Sequence, residues 1–208
     1  MSTSPADVRP VDRKLPALPM GTWHIDPLHS TVGFVARHLG FVRVRGRFTD
    51  VEGVLRITDP VEESTAEVCM ATSTVDTGVP ARDRHLRSAE FFDSRRHPRM
   101  EFHGRGVRPN GDGWVMDGEL TIAGTTRPVT LTGEFLGEDV YPFTGGRRIA
   151  FSGHTRIDRR DFGVSALPPL PGAAIFVGNE VDVHLEISAV DNETRPFSEQ
   201  ILGRPLAL

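Results

Sequence analysis

The chain has 208 residues, with 24 lysines and arginines against 28 aspartates and glutamates, so its net charge is −4 at pH 7. This balance excludes a broad basic field that would hold nucleic acid or an anionic membrane surface. The 21 glycines and 16 prolines favour a fold with many turns over a helical bundle.

The two ends of the sequence differ in character from the middle. Residues 1–20 contain four prolines and no apolar stretch of signal-peptide length, so we expect a disordered lead-in and a cytoplasmic protein. Residues 191–208 are predicted to form a tail, because Pro196 and Pro205 interrupt any periodicity. No window approaches the roughly 18 to 20 apolar residues of a membrane span. We expect one domain over residues 21–190.

Alternation of apolar and polar residues dominates this domain and is typical of half-buried strands. Turn residues separate the strands, and their short spacing leaves little room for crossover helices. The pattern predicts an all-β antiparallel barrel or sandwich of about nine or ten strands. The predicted strands span residues 31–38, 42–48, 52–58, 65–75, 99–107, 114–122, 127–136, 148–157 and 180–190.

Some segments have two interpretations. The strand 42–48 places Arg43, Arg45 and Arg47 on one face, which we interpret as a solvated strand surface rather than a basic patch. Residues 80–94 interrupt the alternation and predict one or two short helical turns, the first opened by Pro80 and the second capped by Ser88.

The single cysteine, Cys69, excludes an intrachain disulfide. It lies in the apolar-rich run 68–71, so we expect a buried small apolar side chain rather than a reactive thiol.

Motifs of catalysis are missing from the sequence. It contains no GxSxG, HExxH, P-loop or GxGxxG pattern, and its eight histidines have no ligand-type spacing. We therefore predict no catalytic residue, no metal site and no cofactor, and we do not expect an enzyme.

Longer motifs carry a family resemblance. They are WHIDPLHS at 23–30, DTG at 76–78 with RDRHLRS at 82–88, GELTI at 118–122 with GTTRPV at 124–129, RDFG at 160–163 and VGNEV at 177–181. Their order and spacing resemble the YceI-like family over residues 21–190. The resemblance implies an extended antiparallel barrel of lipocalin-like shape, with eight strands or slightly more and one short helical segment. It also implies a long apolar tunnel for a polyisoprenoid or an isoprenoid quinone. Gly104 departs from the family, where serine is common at this position.

Given a barrel, the apolar side of each strand must face inward, because the outside faces water. This assigns to the lumen, as ligand-binding residues, Val32, Phe34, Ala36, His38, Val44, Phe48, Met70, Met100, Phe102, Leu120, Ile122, Leu131, Phe135, Phe151 and Val183.

Polar ligand-binding groups are expected at the mouth of the lumen: His29, Arg82, Asp83 and His85. Arg82 is a candidate to pair with a phosphate or a quinone oxygen. The alternative is that Arg82, Asp83 and His85 form a local network that holds the segment 80–94 against the barrel.

The sequence therefore predicts a protein that carries, stores or sequesters an elongated apolar or amphiphilic lipid. We expect no nucleic-acid partner and no integral membrane span, and a homodimer is a reasonable expectation. The alternative is a non-catalytic scaffold with a filled barrel, whose C-terminal tail docks a partner or a second subunit.

Overall fold

The computed structural model of the protein describes residues 17–140, 142, 145–164 and 177–191. These residues form eleven strands and one α-helix. The strands are β1 (Gly21–Ile25), β2 (Thr31–His38), β3 (Val42–Phe48), β4 (Val51–Ile57), β5 (Thr65–Ala71), β6 (Val75–Asp76), β7 (Arg99–Asn110), β8 (Gly113–Ile122), β9 (Thr125–Val140), β10 (Arg147–Asp158) and β11 (Val177–Asp191). The helix α1 spans Pro80–Arg87, and 3-10 turns occur at Val61–Glu63, Thr72–Thr74 and Arg159–Phe162.

The strands form one antiparallel sheet that closes on itself. β1 and β2 follow each other along the same edge of β11, which pairs with β1 through residues 189–191 and with β2 through residues 177–186. β3 and β4 likewise pair with β2 and β1. β1 and β2 together act as one bent strand of the barrel, and β3 and β4 act as another. The ring of eight is completed by β5, β7, β8, β9, β10 and β11, and the short β6 is paired to β3. The predicted all-β barrel of eight strands with one short helix is confirmed.

Strand direction defines two ends of the barrel. The α1 end carries the turn 39–41, the segment 77–98 with α1, the turn 123–124 and residues 159–164. The Trp23 end carries residues 17–20, the connection 58–64, the turn 111–112 and residues 145–146.

The predicted strand bounds agree closely with the structure where alternation is regular. β2 and β3 begin and end at the predicted residues. The predicted strand 65–75 is instead divided into β5 and β6 by the 3-10 turn at Thr72–Thr74. β1 was not among the predicted strands, because five residues are too few to establish a period.

The segment 80–94 contains one helix rather than two. Pro80 begins α1 as predicted, since the first turn does not need its missing N–H. The second helical turn does not form, and Ser88 ends α1 instead of capping another helix. Its hydroxyl donates to the carbonyl of His85 at 2.7 Å and accepts from the N–H of Glu90 at 3.4 Å. Ser88 thus forms hydrogen bonds with two backbone groups of the turn after α1, a common role of a serine side chain.

Trp23 lies at the centre of a compact apolar cluster. Its side chain has no solvent exposure, and its indole Nε1 donates to the carbonyl of Pro19 at 3.1 Å. The guanidinium carbon of Arg147 lies 5.0 Å from the indole centroid, within the range of a cation–π contact. The buried members of this cluster are Trp23, Ile57, Ile149 and Ala189.

The predicted lead-in and tail lie outside the described residues, apart from residues 17–20 and 191. Of these, Leu18 packs against the Trp23 cluster and Asp191 ends β11. Within the described part of the chain, no helix is long and apolar enough to cross a bilayer.

A buried ion pair fixes the bend between β1 and β2. Asp26 is fully buried, and its Oδ1 accepts from the N–H of Leu28 at 3.1 Å. Its Oδ2 lies 2.8 Å from Nδ1 of His29 and accepts from Nη1 of Arg148 at 2.8 Å. The same Nη1 contacts the Ser188 hydroxyl at 2.9 Å. The bend of one strand is thereby tied to β10 and β11.

Cys69 does not lie where the apolar run predicted. It is half-buried, and its neighbours across the sheet are Glu52 and Glu101. The inward side of β5 is taken by Val68 and Met70, so the cysteine is placed on the outer side. Burial raises the pKa of the Cys69 thiol, Arg99 opposes this, and the two carboxylates add to the rise.

We expect Asp26→Ala to lower the free energy of unfolding by about 3–5 kcal/mol, because it removes the fully buried carboxylate that pairs with the poorly solvated guanidinium of Arg148. Chemical denaturation measures this change. The matched control is Asp117→Ala, which removes the exposed carboxylate that pairs with Arg108 and should change stability little. Equal effects of the two substitutions would contradict the structural role of the buried pair.

We expect the Cys69 thiol to react more slowly with a thiol-specific reagent at mildly alkaline pH in the folded protein than in denaturant. The raised pKa leaves less thiolate at a given pH, and thiolate is the reactive form. The variant Glu101→Gln should speed the reaction, since one of the carboxylates that raise the pKa is then neutral. A folded protein that reacts as fast as the denatured chain would exclude this environment.

Candidate functional site

A cavity of about 300 Å³ runs through the barrel lumen. Every one of the eight ring strands contributes to its wall, which extends from Phe92 and Val177 at the α1 end to Ile57 and Trp114 at the Trp23 end. The wall is almost wholly apolar. Ligand pockets commonly measure roughly 300–1,000 Å³, so the lumen has room for one slender apolar chain.

Two glycines explain why large side chains leave this space open. The ring of Phe34 lies where a Cβ on Gly46 would be, so the ring rests against the barrel wall. Phe102 and Met116 cover Gly104 in the same way, with Phe102 Cε1 2.7 Å from the position of a Cβ. Glycine in a strand often marks such a close approach. The centre of the lumen remains open because these side chains lie along its edge.

Twelve of the fifteen predicted lumen residues line this cavity: Val32, Phe34, Ala36, Phe48, Met70, Met100, Phe102, Leu120, Ile122, Leu131, Phe151 and Val183. His38 and Val44 do not, because they lie near the tip of the β2–β3 hairpin. Phe135 packs against Phe151 with ring centroids 5.2 Å apart, beside the Trp23 cluster. Ligand contact by any of these residues stays a prediction.

The four predicted mouth residues do not line the cavity. Arg82 donates from Nε to the hydroxyl of Thr77 at 2.7 Å and from Nη2 to its carbonyl at 2.9 Å. The buried carboxylate of Asp83 accepts from the N–H of Thr77 at 3.0 Å and from its hydroxyl. These contacts form the local network that the sequence left open as the alternative, and they hold α1 beside β6.

The two predicted mouth histidines also have local partners. His85 Nε2 lies 2.6 Å from Oε2 of Glu90, and its ring meets Phe91 edge-on with centroids 4.9 Å apart. His29 contacts Asp26 at the β1–β2 bend, away from either end of the barrel. His29 and His85 therefore lie apart from each other and from the cavity wall, and their contact with a ligand stays a prediction.

Sequence reasoning missed part of the wall. Leu86 on α1 and Phe91 and Phe92 after it line the cavity from the segment between β6 and β7, where no strand alternation could reveal them. Others lie inside the predicted strands, and all but Leu55 share the inward parity of a predicted lumen residue on the same strand. They are Leu55, Val68, Met116, Val129, Ile157, Leu185 and Ile187.

Arg159 brings a positive charge to the α1 end of the cavity. Its Nε donates to the carbonyl of Gly178 at 3.0 Å, and its Nη1 donates to that of Val164 at 2.8 Å. Its Nη2 donates to the carbonyl of Val177 and to Oδ1 of Asn179, both at 3.1 Å. The guanidinium thus joins the described residues on either side of 165–176.

Arg159 forms no ion pair with a carboxylate in the described ranges, since the neighbouring Asp158 pairs with Arg160. Burial lowers the pKa of Arg159, and the charge of Asp158 opposes this. The following turn holds the arginine in place, with Phe162 buried and Gly163 in the left-handed region at φ 71°. The site therefore offers an apolar tunnel with a cation at one end.

Among the described residues, no group of three or more histidine, cysteine, aspartate or glutamate side chains is placed to hold a metal ion.

Known proteins share both the sequence pattern and the barrel. The model of the YceI-like domain matches residues 23–189. A UPF0312 protein of Vibrio cholerae is 32% identical over 161 residues, which cover 76% of this chain and 81% of that protein. Protein YceI of Escherichia coli is 32% identical over 168 residues, covering 79% and 83%.

Solved structures show the same fold at lower identity. BcnA of Burkholderia cenocepacia superposes with a TM-score of 0.69 at 19% identity, covering 79% of this chain and 98% of that one. A polyisoprenoid binding domain from Saccharophagus degradans, implicated in plant cell wall breakdown, gives a TM-score of 0.59 at 14% identity, covering 83% and 99%. With the family model matched over nearly the whole barrel, the chain belongs to the YceI-like family.

Proposed function

We propose that this protein binds the chain of one elongated apolar or amphiphilic lipid inside its barrel and does so without catalysing a reaction. The observation that carries the proposal is the continuous apolar cavity between the two ends. An unfilled lumen is costly unless something occupies it, because its lining atoms lack packing partners. A slender hydrocarbon chain matches both the shape and the chemistry of this wall.

An isoprenoid tail is the ligand class we propose. The support is the YceI-like fold together with a structural relative described as a polyisoprenoid binding domain. Burying about 400 Å² of apolar surface gains on the order of 10 kcal/mol, before the costs of association are subtracted. Affinity of this kind needs no catalytic group. The protein would serve as a carrier, a store or a sequestering protein.

The size of the cavity limits how much of the tail it accepts. At about 300 Å³ it suits a segment of a long isoprenoid, unless the wall yields. Met70, Met100 and Met116 line the wall, and unbranched methionine side chains adapt their shape more easily than other core residues. We propose that these methionines determine the length of chain that is held.

Arg159 is our candidate for contact with a polar head group. Within the described residues its guanidinium is hydrogen-bonded to uncharged oxygens, so its charge is not neutralised by a carboxylate there, and this favours a phosphate or a quinone oxygen nearby. Sequence reasoning gave this role to Arg82, which is engaged with Thr77 instead. A ligand bound in this sense would have its head at the α1 end.

The alternative is a filled scaffold that binds no lipid. The aromatic rings that border the lumen favour it, since the ring of Phe48 packs between those of Phe34 and Phe92, with centroids 5.8 and 5.6 Å away.

The cytoplasmic location, the homodimer and the lack of a nucleic-acid partner stay predictions from the sequence.

Native mass spectrometry of the protein purified from its own host, followed by solvent extraction, tests the binding proposal. We expect one stoichiometric adduct with the mass of an isoprenoid lipid. A protein that is bare and also rejects added quinones and polyprenyl phosphates would favour the filled scaffold.

A matched pair of variants connects that result with the cavity. We expect Gly104→Ala to reduce the bound lipid severalfold, because its Cβ forces Phe102 and Met116 toward the lumen. The control Gly33→Ala adds a methyl group whose nearest neighbour is 3.7 Å away. Thermal melts confirm that both variants fold. Equal lipid content in the two would show that the ligand lies elsewhere.

Replacing Arg159 tests its proposed role. We expect Arg159→Met to weaken binding of polyprenyl phosphate by roughly 10- to 150-fold, since a charge-assisted hydrogen bond of about 1.5–3 kcal/mol is lost, while an isoprenoid hydrocarbon binds as before. The affinity of Arg159→Lys for polyprenyl phosphate should be intermediate between that of the parent chain and that of Arg159→Met, because lysine keeps the charge but not the planar guanidinium.

A purely structural role for Arg159 gives a different result. In that case Arg159→Met would weaken phosphate and hydrocarbon ligands alike, and amide exchange would rise at Val164 and Val177–Asn179 without any head-group preference. Arg160→Met is the control, since its exposed side chain pairs with Asp158 away from the cavity.

A further inference from the structure

The β2–β3 hairpin projects at the α1 end and carries an unusual combination of side chains. On its outer face, Arg37 stands directly opposite Arg43, and Arg45 is the next outward residue of β3. Like charges that face each other across a strand pair are destabilising. The hairpin thus holds three positive charges in a place where folding alone does not favour them.

These arginines are not paired with the acidic residues that the structure describes. Within the described ranges, no carboxylate forms an ion pair with Arg37, Arg43 or Arg45. The nearest acidic residue in the neighbouring register is Asp182, which is engaged by Arg156 at 2.6 Å. The chain as a whole is acidic, with a net charge of −4. The positive charge is therefore a local feature of this hairpin.

The tip of the hairpin is apolar and exposed. Phe41 is 73% exposed, Val42 is 44% exposed and Leu39 is 41% exposed. Leu39 also adopts a positive φ of 52°, a conformation that suits glycine or asparagine better than leucine. Neither the local turn nor solvation in water favours an apolar side chain at this position.

We propose that the β2–β3 hairpin docks the protein on an anionic lipid surface. Leu39, Phe41 and Val42 enter the boundary between head groups and acyl chains, and Arg37, Arg43 and Arg45 lie against the anionic head groups. Peripheral binding commonly combines an apolar element with a cluster of basic residues in this way. The hairpin is at the same end as Arg159 and the described residues that flank 165–176, so docking would bring that end of the cavity to the membrane.

A second copy of this chain is a poorer occupant. β3 has no strand beside residues 42–46 on its outer edge within the described residues, so edge-to-edge pairing is geometrically open. Such pairing would set Arg43 and Arg45 close to the same residues of the other copy. Edge strands commonly use charges to prevent this contact. Charge complementarity therefore favours an anionic partner over self-association.

Vesicle co-sedimentation of the full chain tests the docking proposal. We expect binding to phosphatidylcholine vesicles that contain phosphatidylglycerol and none to pure phosphatidylcholine. Raising the ionic strength from about 0.01 M to about 0.15 M shortens the Debye length from ~30 to ~8 Å and should weaken binding. Each Arg→Gln change at positions 37, 43 or 45 should lower affinity about fivefold, and Phe41→Ser should lower it on the order of tenfold.

The matched controls are Arg105→Gln and Leu136→Ser, which change exposed residues on β7 and β9 and should bind like the parent chain. The proposal would be overturned if the two controls lost as much affinity for anionic vesicles as the hairpin variants. It would also be overturned if the parent chain did not bind anionic vesicles. Light scattering on the same samples would also overturn it if the hairpin variants abolished a dimer without affecting vesicle binding. The vesicles contain no isoprenoid lipid, so this outcome is independent of ligand binding in the cavity.

Discussion

The limited room inside an eight-stranded ring is the constraint on which the other features depend. A closed barrel of this size holds little beyond its own side chains or one small ligand. Whether space remains is therefore decided by where the aromatic rings lie. Phe34 rests against Gly46 and Phe102 against Gly104, so two of the largest lumen residues occupy the wall instead of the centre. The open cavity follows from the positions of small residues as much as from those of large ones.

Charged groups are arranged so that they do not enter this apolar space. Asp26 and Arg148 form their buried pair beside the β1–β2 bend, where neither residue lines the cavity. Arg159 reaches the cavity only at its α1 end and is held there by four hydrogen bonds to oxygen acceptors. The Asp26–Arg148 pair stabilises the barrel frame, and the cation of Arg159 makes the two ends of the cavity chemically different.

Alternation in the sequence predicted an antiparallel barrel or sandwich, and the family resemblance selected the barrel. Strand parity then assigned most of the wall, because it decides which side chains of a barrel face the lumen. The same reasoning failed for Cys69, since apolar neighbours on both sides of it hide the alternation of β5. It also failed for Phe91 and Phe92, which reach the lumen from a segment without a period.

The polar groups were harder to predict than the wall. Arg82 and Arg159 both stand near turns at the α1 end, and their local sequences do not reveal which of them reaches the cavity. That depends on which carbonyls the fold brings near each guanidinium. Arg82 meets Thr77, a residue close in sequence, whereas Arg159 meets Gly178 across the chain connection at the barrel end. Long-range contacts of this kind cannot be read from spacing.

The two ends of the barrel are chemically unequal, and this bears on both proposals. The Trp23 end is built around a fully buried indole, and its charged lining residue is the exposed Glu134. The α1 end has the cation of Arg159 and, on the neighbouring hairpin, three further arginines and an apolar tip. An amphiphile with an anionic head is therefore favoured with its head at the α1 end and its tail toward Trp23. A membrane that approached the hairpin would meet the head of such a ligand before its tail. In a bilayer leaflet the head faces the docked protein, so the ligand would have to reverse its direction on passing between the barrel and the membrane.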